Sequence, residues 1–196
     1  MALPDPTDVA AYDNELAKVT IGGARPLSKP IEILDYDPEW PLHYEREEAR
    51  IRSILGDRVI RIEHAGSTSV PGLPAKPIID IVLEVQDSAV ESEYVPEMEA
   101  AGYVLRIREP EWFEHRVFKG PDTNINLHVF TAGCDEVDRM LLFRDWLRTS
   151  AADRGLYASA KRELAARDWK YGQQYADAKT AVVHNIMSRA QAALGA

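Results

Sequence analysis

The stretch that decides the fold is residues 63–85, which reads Glu63-His64-Ala65-Gly66-Ser67-Thr68-Ser69-Val70-Pro71-Gly72-Leu73-Pro74-Ala75-Lys76-Pro77-Ile78-Ile79-Asp80-Ile81-Val82-Leu83-Glu84-Val85. A run of β-type residues at 58–62 precedes it, and an apolar run at 78–85 closes it. Between the two lie a small polar loop at 66–69 and two turns that contain Pro and Gly. The pattern therefore predicts a strand, an irregular loop and a second strand.

Asp80 stands inside the apolar run, between Ile79 and Ile81. Strand interiors normally avoid carboxylates, because removing their hydration costs several kcal/mol unless a partner compensates. Asp80 therefore needs a metal ion, an Arg or Lys side chain, or a set of N–H donors.

The loop from Gly66 to Ser69 carries three hydroxyls in a row. Glycine lets the backbone approach a ligand closely, and the backbone N–H groups of such a loop suit phosphate oxygens. Gly-Ser-rich turns are usually only turns, so the indication of a site comes from the combination with His64 and Asp80.

The remaining chain alternates helix and strand patterns. It predicts helices over 8–19, 38–55, 88–102, 135–148, 153–168 and 173–194, and strands over 31–36, 103–108, 112–119 and 124–130. Pro96 predicts a kink or a second start in the helix at 88–102. The fold class is thus α/β (α+β). We expect an N-terminal extension at 1–30, followed by one domain at 31–196 whose C-terminal helices begin at about residue 135.

Composition limits the classes of function. The chain has 196 residues, 45% of them apolar, and a formal net charge of −9, which argues against binding nucleic acid along its backbone but allows a small anionic ligand. Its single cysteine, Cys134, and the lack of a signal-peptide pattern or long apolar run predict a cytoplasmic protein away from membranes. The oligomeric state is not indicated.

The run from His64 through Gly66-Ser67-Thr68-Ser69-Val70-Pro71-Gly72 and Ala75-Lys76-Pro77 to Asp80 resembles the signature of the GrpB family, a group of largely uncharacterised bacterial proteins. Tyr36, Pro38, Trp40 and Pro41 match that family upstream, and the resemblance covers nearly all of residues 31–190. The family in turn resembles the nucleotidyltransferase superfamily, in which a Gly-Ser pair precedes an Asp-x-Asp/Glu strand by about ten residues. The resemblance implies a nucleotidyltransferase-like mixed β-sheet core with a C-terminal helical part.

A nucleotidyltransferase requires a divalent metal, with Mg²⁺ or Mn²⁺ expected, and a nucleoside triphosphate as substrate. Asp80 fits the first carboxylate of the superfamily motif, but Val82 stands where the second is expected. Glu84 shares the face of Asp80 but lies about 13 Å along the strand, too far to bind the same ion, and we expect it at the surface end of the strand.

The replacement donor is expected on a neighbouring strand. Asn126-Leu127-His128-Val129 matches a family pattern, so that His128 and Asn126 would face Asp80, with His64 arriving from the strand before the loop. The metal ligands would then be Asp80, His128 and His64. Alternatively, both histidines are buried structural residues hydrogen-bonded to Asp80.

Five cationic residues are candidates for balancing phosphate charge: Lys76, Arg116, Arg144, Lys161 and Lys179. Arg144 lies in Phe143-Arg144-Asp145-Trp146-Leu147-Arg148, which resembles a family helix, and each helical lysine follows a tyrosine by four residues, Tyr157 and Tyr175. Arg binds phosphate bidentately and Lys as a point charge. Asp145 could equally form a structural salt bridge with one of these cations.

Two functions are compatible with these residues. The first is a metal-dependent nucleotidyltransferase-type enzyme that transfers AMP or another NMP to an unknown small acceptor, with Asp80, His128 and Lys76 as catalytic residues. Gly66, Ser67, Thr68, Ser69, Arg116, Arg144, Lys161 and Lys179 would bind the nucleotide. The second is a nucleotide- or metabolite-binding module without catalysis, which Val82 favours.

Overall fold

The computed structural model describes Asp5 and residues 8–195. Across this part the chain forms seven α-helices and one five-stranded sheet. The strands are β1 (Arg61–Ala65), β2 (Ile79–Val85), β3 (Val104–Glu109), β4 (His115–Lys119) and β5 (Ile125–Thr131). The helices are α1 (Val9–Val19), α2 (Trp40–Leu55), α3 (Val95–Ala100), α4 (Asp135–Thr149), α5 (Ala151–Ala165), α6 (Gly172–Ala178) and α7 (Thr180–Leu194).

The sheet is mixed, with the strand order β1-β2-β5-β4-β3. β2 and β5 run parallel at its centre, and the other neighbouring pairs are antiparallel. A mixed sheet with a helical C-terminal part confirms the predicted fold class. The pairing sets Asp80 between Ala65 of β1 and Asn126 of β5.

Side-chain alternation gives the sheet two faces. Ile81 and Leu127 lie on the face that packs against α2 and α3 through residues such as Ile51 and Met98. On the other face, Val82 and Phe130 pack against α4. Asp80 belongs to this second face, at the beginning of β2, where the C-terminal helices close over the sheet.

Several predicted boundaries need correction. The strand expected at 31–36 is a single bridge between Leu34 and Ala75. The helix expected from Ser88 begins only at Val95, as α3, which agrees with a second start at Pro96. The Ser88 hydroxyl caps no helix and donates to Glu114 O (2.9 Å). The long C-terminal helix is interrupted at Lys179, which separates α6 from α7.

The N-terminal extension is attached to the domain through α1. Asp8 caps the helix as its carboxylate accepts from Ala11 N–H (3.0 Å), and Thr20 forms a bridge with Ile107 of β3. The Tyr12 hydroxyl donates to Asp177 of α6 (2.6 Å). Residues 1–4, 6 and 7 of the predicted extension, and residue 196, lie outside the described residues.

In the described part of the chain, we find no helix with the length and apolar character needed to cross a membrane.

Candidate functional site

Asp80 and Gly66 form the centre of the site. Gly66 adopts φ +65°, and a Cβ added there would lie 2.4 Å from Asp80 Oδ2 and 2.9 Å from Asp80 Cβ. No side chain fits in that space, so the glycine is required for the close approach of the loop to the carboxylate. The Gly-Ser loop is thus in contact with Asp80, as the sequence pattern indicated.

Asn126 orients the Asp80 carboxylate. Its amide nitrogen donates to Asp80 Oδ1 (2.7 Å), while its Oδ1 accepts from the Lys119 ammonium. Because an ammonium group has only donors, this contact fixes which side of the Asn126 amide faces Asp80. Burial would raise the pKa of Asp80, but its polar and charged neighbours, among them the Asn126 amide and the Lys179 charge, outweigh it and hold that pKa below its usual value.

His128, two residues after Asn126 on the same face of β5, also approaches Asp80. Its Nε2 lies 3.7 Å from Asp80 Oδ1, and its Nδ1 lies 2.9 Å from Nε2 of His115. His115 in turn places Nδ1 2.7 Å from Glu109 Oε2. Burial lowers the pKa of His115 to about 4, so this imidazole is neutral at physiological pH.

Four lysines from four different segments lie in the electrostatic environment of Asp80: Lys76 from the loop before β2, Lys119 from β4, Lys161 from α5, and Lys179 between α6 and α7. Each of them interacts electrostatically with Asp80. The pKa of each is lowered, first by burial and then, for Lys76, Lys119 and Lys161, by neighbouring cations. Positive charge therefore exceeds negative charge around Asp80.

Lys161 is the most buried of the four, with 2% of its surface exposed. Its ammonium donates to Ser67 Oγ (2.9 Å) and to the carbonyl of Pro74. Burial, together with the charges of Lys179 and Arg162, lowers the pKa of Lys161 to about 7. An anion placed here would favour the protonated form of Lys161.

The two tyrosines that precede the helical lysines hold them by cation–π contacts. Lys161 Nζ lies 4.7 Å from the centre of the Tyr157 ring, and Lys179 Nζ lies 4.7 Å from that of Tyr175. Lys76 Nζ lies 5.1 Å from the same Tyr175 ring. The buried Tyr175 hydroxyl has no hydrogen-bond partner in the described part of the chain.

The hydroxyls of the Gly66–Ser69 loop are not equivalent. Ser67 faces Lys161, whereas Ser69 Oγ donates to Gly66 O (2.6 Å) and Thr68 Oγ1 donates to Ile78 O (3.3 Å). Of the three side chains, only that of Ser67 contacts the lysine cluster. Thr68 and Ser69 instead hold the loop in its conformation, which corrects the expectation that all three hydroxyls face a ligand.

His64 does not face Asp80. It pairs with Ile81 on the opposite face of the sheet, where its ring stacks on Tyr44 (4.8 Å between centres) and Nε2 lies 3.0 Å from Thr68 Oγ1. Burial lowers the pKa of His64 to about 4. The expectation that His64 reaches a metal beside Asp80 is wrong because successive residues of β1 point to opposite faces.

Arg116 is also absent from the cluster. It pairs with Val129 on the face opposite His128, and its guanidinium binds Glu91 (2.6 Å) and Glu114 O (2.7 Å). The expectation that Arg116 lies with Lys76, Lys161 and Lys179 in one site is therefore wrong. Its neighbours His115 and Lys119 point to the site instead.

Arg144 lies away from Asp80 too. Its guanidinium binds both oxygens of Asp145 (2.8 and 3.0 Å) and also Glu63 (2.9 Å), which is the structural salt bridge that the sequence left open. It lines a separate cavity of about 610 Å³ next to His64. Glu84, expected at the surface, is buried and accepts from Gly133 N–H (2.8 Å).

The pair Asp80 and His128 is the candidate metal site. Their 3.7 Å separation is less than twice a metal–ligand bond of about 2.1 Å, so one ion could contact both. In the described part of the chain no group of three or more His, Cys, Asp and Glu side chains is arranged to hold a metal. The pair therefore fits a cation only when other oxygens, from water or from a phosphate, complete its coordination.

Sequence reasoning missed Lys119, His115 and Glu109. The alternation along β4 could have identified two of them, because His115, Val117 and Lys119 share one face of the strand and Arg116 and Phe118 share the other. Phe118 is fully buried in the core, which assigns Arg116 to the core side and the alternating set to the site.

Comparison with known proteins places the chain in a family. The sequence profile described as "GrpB protein" matches residues 30–189. The chain therefore belongs to the GrpB family, as the His64–Asp80 motif indicated.

Similar proteins span most of the chain. The UPF0157 protein BH1888 of Halalkalibacterium halodurans is 60% identical over 92% of this chain and 92% of its own length. The crystal structure of GrpB from Enterococcus faecalis matches at a TM-score of 0.74 and 30% identity, covering 84% of this chain and all of that one. A protein of Mycolicibacterium paratuberculosis named dephospho-CoA kinase is 30% identical over 70% of this chain, which spans 40% of its length.

Proposed function

We propose that this protein is a nucleotidyltransferase-type enzyme that binds a nucleoside triphosphate at the lysine cluster and transfers an NMP, with AMP expected, to a small acceptor. The observation that carries the proposal is the grouping of four lysines near the Gly66–Asp80 contact: Lys119 binds the Asn126 amide that holds Asp80, Lys161 binds Ser67, and Lys76 and Lys179 share the Tyr175 ring. Lys161 is buried and the other three lysines are half-buried, and cations withdrawn from water without matching anions are costly, so such a cluster favours a ligand with several negative charges. A triphosphate carries them.

The neighbouring groups fit that ligand. Ser67 and Lys161, which are hydrogen-bonded to each other (2.9 Å), would contact phosphate oxygens beside Gly66. A cavity of about 480 Å³ adjoins Lys179 and has both apolar and polar walls, including Val183 and Thr180. It offers room for the part of a substrate that extends beyond the phosphates.

Asp80 and His128 would hold a divalent cation, Mg²⁺ or Mn²⁺, together with the triphosphate. When bound, this ion supplies charge neutralisation at the transferring phosphoryl group. The lysines position the triphosphate and stabilise the negative charge on the leaving pyrophosphate. Lys76, whose charged form is disfavoured by burial and by Lys179, would act in this role beside Asp80.

The name of the Mycolicibacterium relative suggests one acceptor class for testing. Since this chain spans 40% of that protein, the named activity can belong to the rest of it. This chain also contains no Gly-x-x-x-x-Gly-Lys-Ser/Thr loop, so we do not propose kinase activity for it. Dephospho-CoA and related pantetheine compounds belong in an acceptor panel.

The test is pyrophosphate release from ATP, GTP, CTP and UTP with Mg²⁺ or Mn²⁺ and a panel of small acceptors, for the wild type and Asp80→Asn. Release that depends on metal and acceptor and is lost in the variant supports the enzyme. Tight nucleotide binding without turnover across the panel favours the alternative, a non-catalytic nucleotide-binding module, which the single carboxylate at the site supports. No binding of any nucleotide contradicts both.

A further inference from the structure

Glu109, His115 and His128 form a hydrogen-bonded row that ends at Asp80. Glu109 Oε2 lies 2.7 Å from His115 Nδ1, and His115 Nε2 lies 2.9 Å from His128 Nδ1. His128 Nε2 then faces Asp80 Oδ1 at 3.7 Å. The proposed function assigns a role to His128 but none to the two residues behind it.

The row determines where the protons lie. A carboxylate offers only acceptors, so His115 must donate its Nδ1–H to Glu109. A neutral His115 then has a lone pair on Nε2, which accepts Nδ1–H from His128. A neutral His128 in turn carries its lone pair on Nε2, directed towards Asp80.

His115 is held firmly in this position. Its ring stacks on Phe130 (4.6 Å between centres) and meets the edge of Trp112 (5.0 Å). The preceding residues Phe113 and Glu114 adopt φ +54° and +50°, which is unfavourable for non-glycine residues. Such backbone strain persists only where the surroundings fix it, and Glu114 O accepts from Ser88 and Arg116 here.

A second hydrogen-bonded row reaches the same oxygen of Asp80. Lys119 donates to Asn126, and Asn126 donates to Asp80 Oδ1 (2.7 Å). Each row thus orients one atom that carries a lone pair, His128 Nε2 in the first row and Asp80 Oδ1 in the second. These two atoms lie 3.7 Å apart. Two lone pairs directed at one gap repel each other unless a cation lies between them.

We propose that Glu109 and His115 are positioning residues that keep the proton of His128 on Nδ1, so that Nε2 can bind a divalent cation together with Asp80. The catalytic use of that cation rests on the proposed function, whereas its binding does not. The proposal does not depend on which nucleotide or acceptor is used.

The experiment reads the tautomer of His128 directly, by ¹⁵N NMR of the full-length protein without nucleotide. It compares the wild type with His115→Phe, Glu109→Ala and the rescue variant His115→Gln, whose side-chain oxygen can still accept Nδ1–H. Glu111→Ala is the matched control, because Glu111 is exposed in the loop between β3 and β4. A titration with Mn²⁺ alone follows, in which broadening of the His128 ring signals reports binding even when it is weak.

In the wild type we expect the proton on Nδ1. In His115→Phe it moves to Nε2, because Asp80 becomes the remaining acceptor, and the Mn²⁺ affinity falls about 10- to 100-fold. In Glu109→Ala we expect the proton of His128 and the Mn²⁺ affinity to change in the same direction. In His115→Gln and Glu111→Ala both should stay close to the wild type.

A wild-type His128 protonated on Nε2 overturns the proposal, as does an unchanged tautomer or Mn²⁺ affinity in His115→Phe. So does a wild type that shows no broadening at millimolar Mn²⁺. Because these measurements contain no nucleotide, failure of ATP binding would contradict the proposed function without affecting this result.

Discussion

The substitution Gly66→Ala tests the contact between the loop and the carboxylate. The new methyl group would lie 2.4 Å from Asp80 Oδ2 and 2.9 Å from Asp80 Cβ, both far inside van der Waals contact. Asp80 cannot retreat through its backbone, because β2 is paired on both sides. The loop or the carboxylate has to move.

The expected loss of stability has two contributions. An alanine at φ +65° and ψ −170°, a backbone region essentially restricted to glycine, costs about 1–3 kcal/mol, and forcing a methyl group into a filled space costs about 1–3 kcal/mol more. The total of about 2–6 kcal/mol corresponds to a decrease in Tm of roughly 4–24 °C for a chain of this size.

Thermal unfolding measures this decrease, and Gly72→Ala is the matched control. Gly72 also has a positive φ, +76°, but an added Cβ there meets no atom within 4 Å. We therefore expect Gly72→Ala to show only the conformational contribution, with a clearly smaller decrease in Tm. Equal decreases at the two positions would refute the reasoning, because the clash with Asp80 would then contribute nothing.

Three further predictions concern the charges of the site. Lys76→Met should raise the Tm of the ligand-free protein by about 2–4 °C, since it removes a largely desolvated charge that Lys179 repels. The same variant should bind ATP more weakly in calorimetry, and a Tm below that of the wild type would contradict the reasoning. ATP affinity should fall by roughly an order of magnitude between pH 7 and 9, because the pKa of Lys161 lies at about 7 and only its protonated ammonium attracts phosphate. Lys161→Met should flatten this pH profile. Val82→Asp, which would restore the superfamily's second carboxylate, should instead lower the unfolding free energy by about 3 kcal/mol or more, as Val82 is 1% exposed and packs against Phe130 and α4; a denaturation midpoint equal to that of the wild type would count against it.

The sequence predicted the elements that carry strong periodicity. The apolar run at β2, the polar alternation of Asn126 and His128 on β5, and the Tyr–Lys spacing on the C-terminal helices all correspond to features of the structure. These patterns follow from local geometry, which a single sequence contains.

The remaining errors arise where tertiary contacts decide. The residues at 31–36 have a strand pattern but find only one pairing partner, at Ala75. Ser88 has the spacing of a helix cap, yet its hydroxyl is engaged by Glu114 and Thr131 from distant segments. The local sequence shows that Ser88 can form a hydrogen bond, but the tertiary structure determines with which residue it does so.

Charge type alone could not assign the cations of the site. Arg116 and Lys119 are three residues apart on one strand, so they lie on opposite faces, and only the burial of Phe118 distinguishes them. Arg144 forms its salt bridge with the adjacent Asp145, which removes its fork from phosphate binding. Lys161 comes close to the Gly66–Ser69 loop because α5 folds back over the sheet, where its ammonium donates to Ser67 from a distant part of the chain.

The most direct test of the central claim is calorimetric titration of ATP, with Mn²⁺ present, into the wild type, Lys179→Met and Lys18→Met. Lys18 is an exposed lysine of α1, paired only with Glu15 in the described part of the chain, and serves as the charge-matched control. If the lysine cluster binds the triphosphate, Lys179→Met should lose at least tenfold in affinity while Lys18→Met equals the wild type. Equal affinity in all three proteins would contradict the account, because ATP would then bind without the cluster.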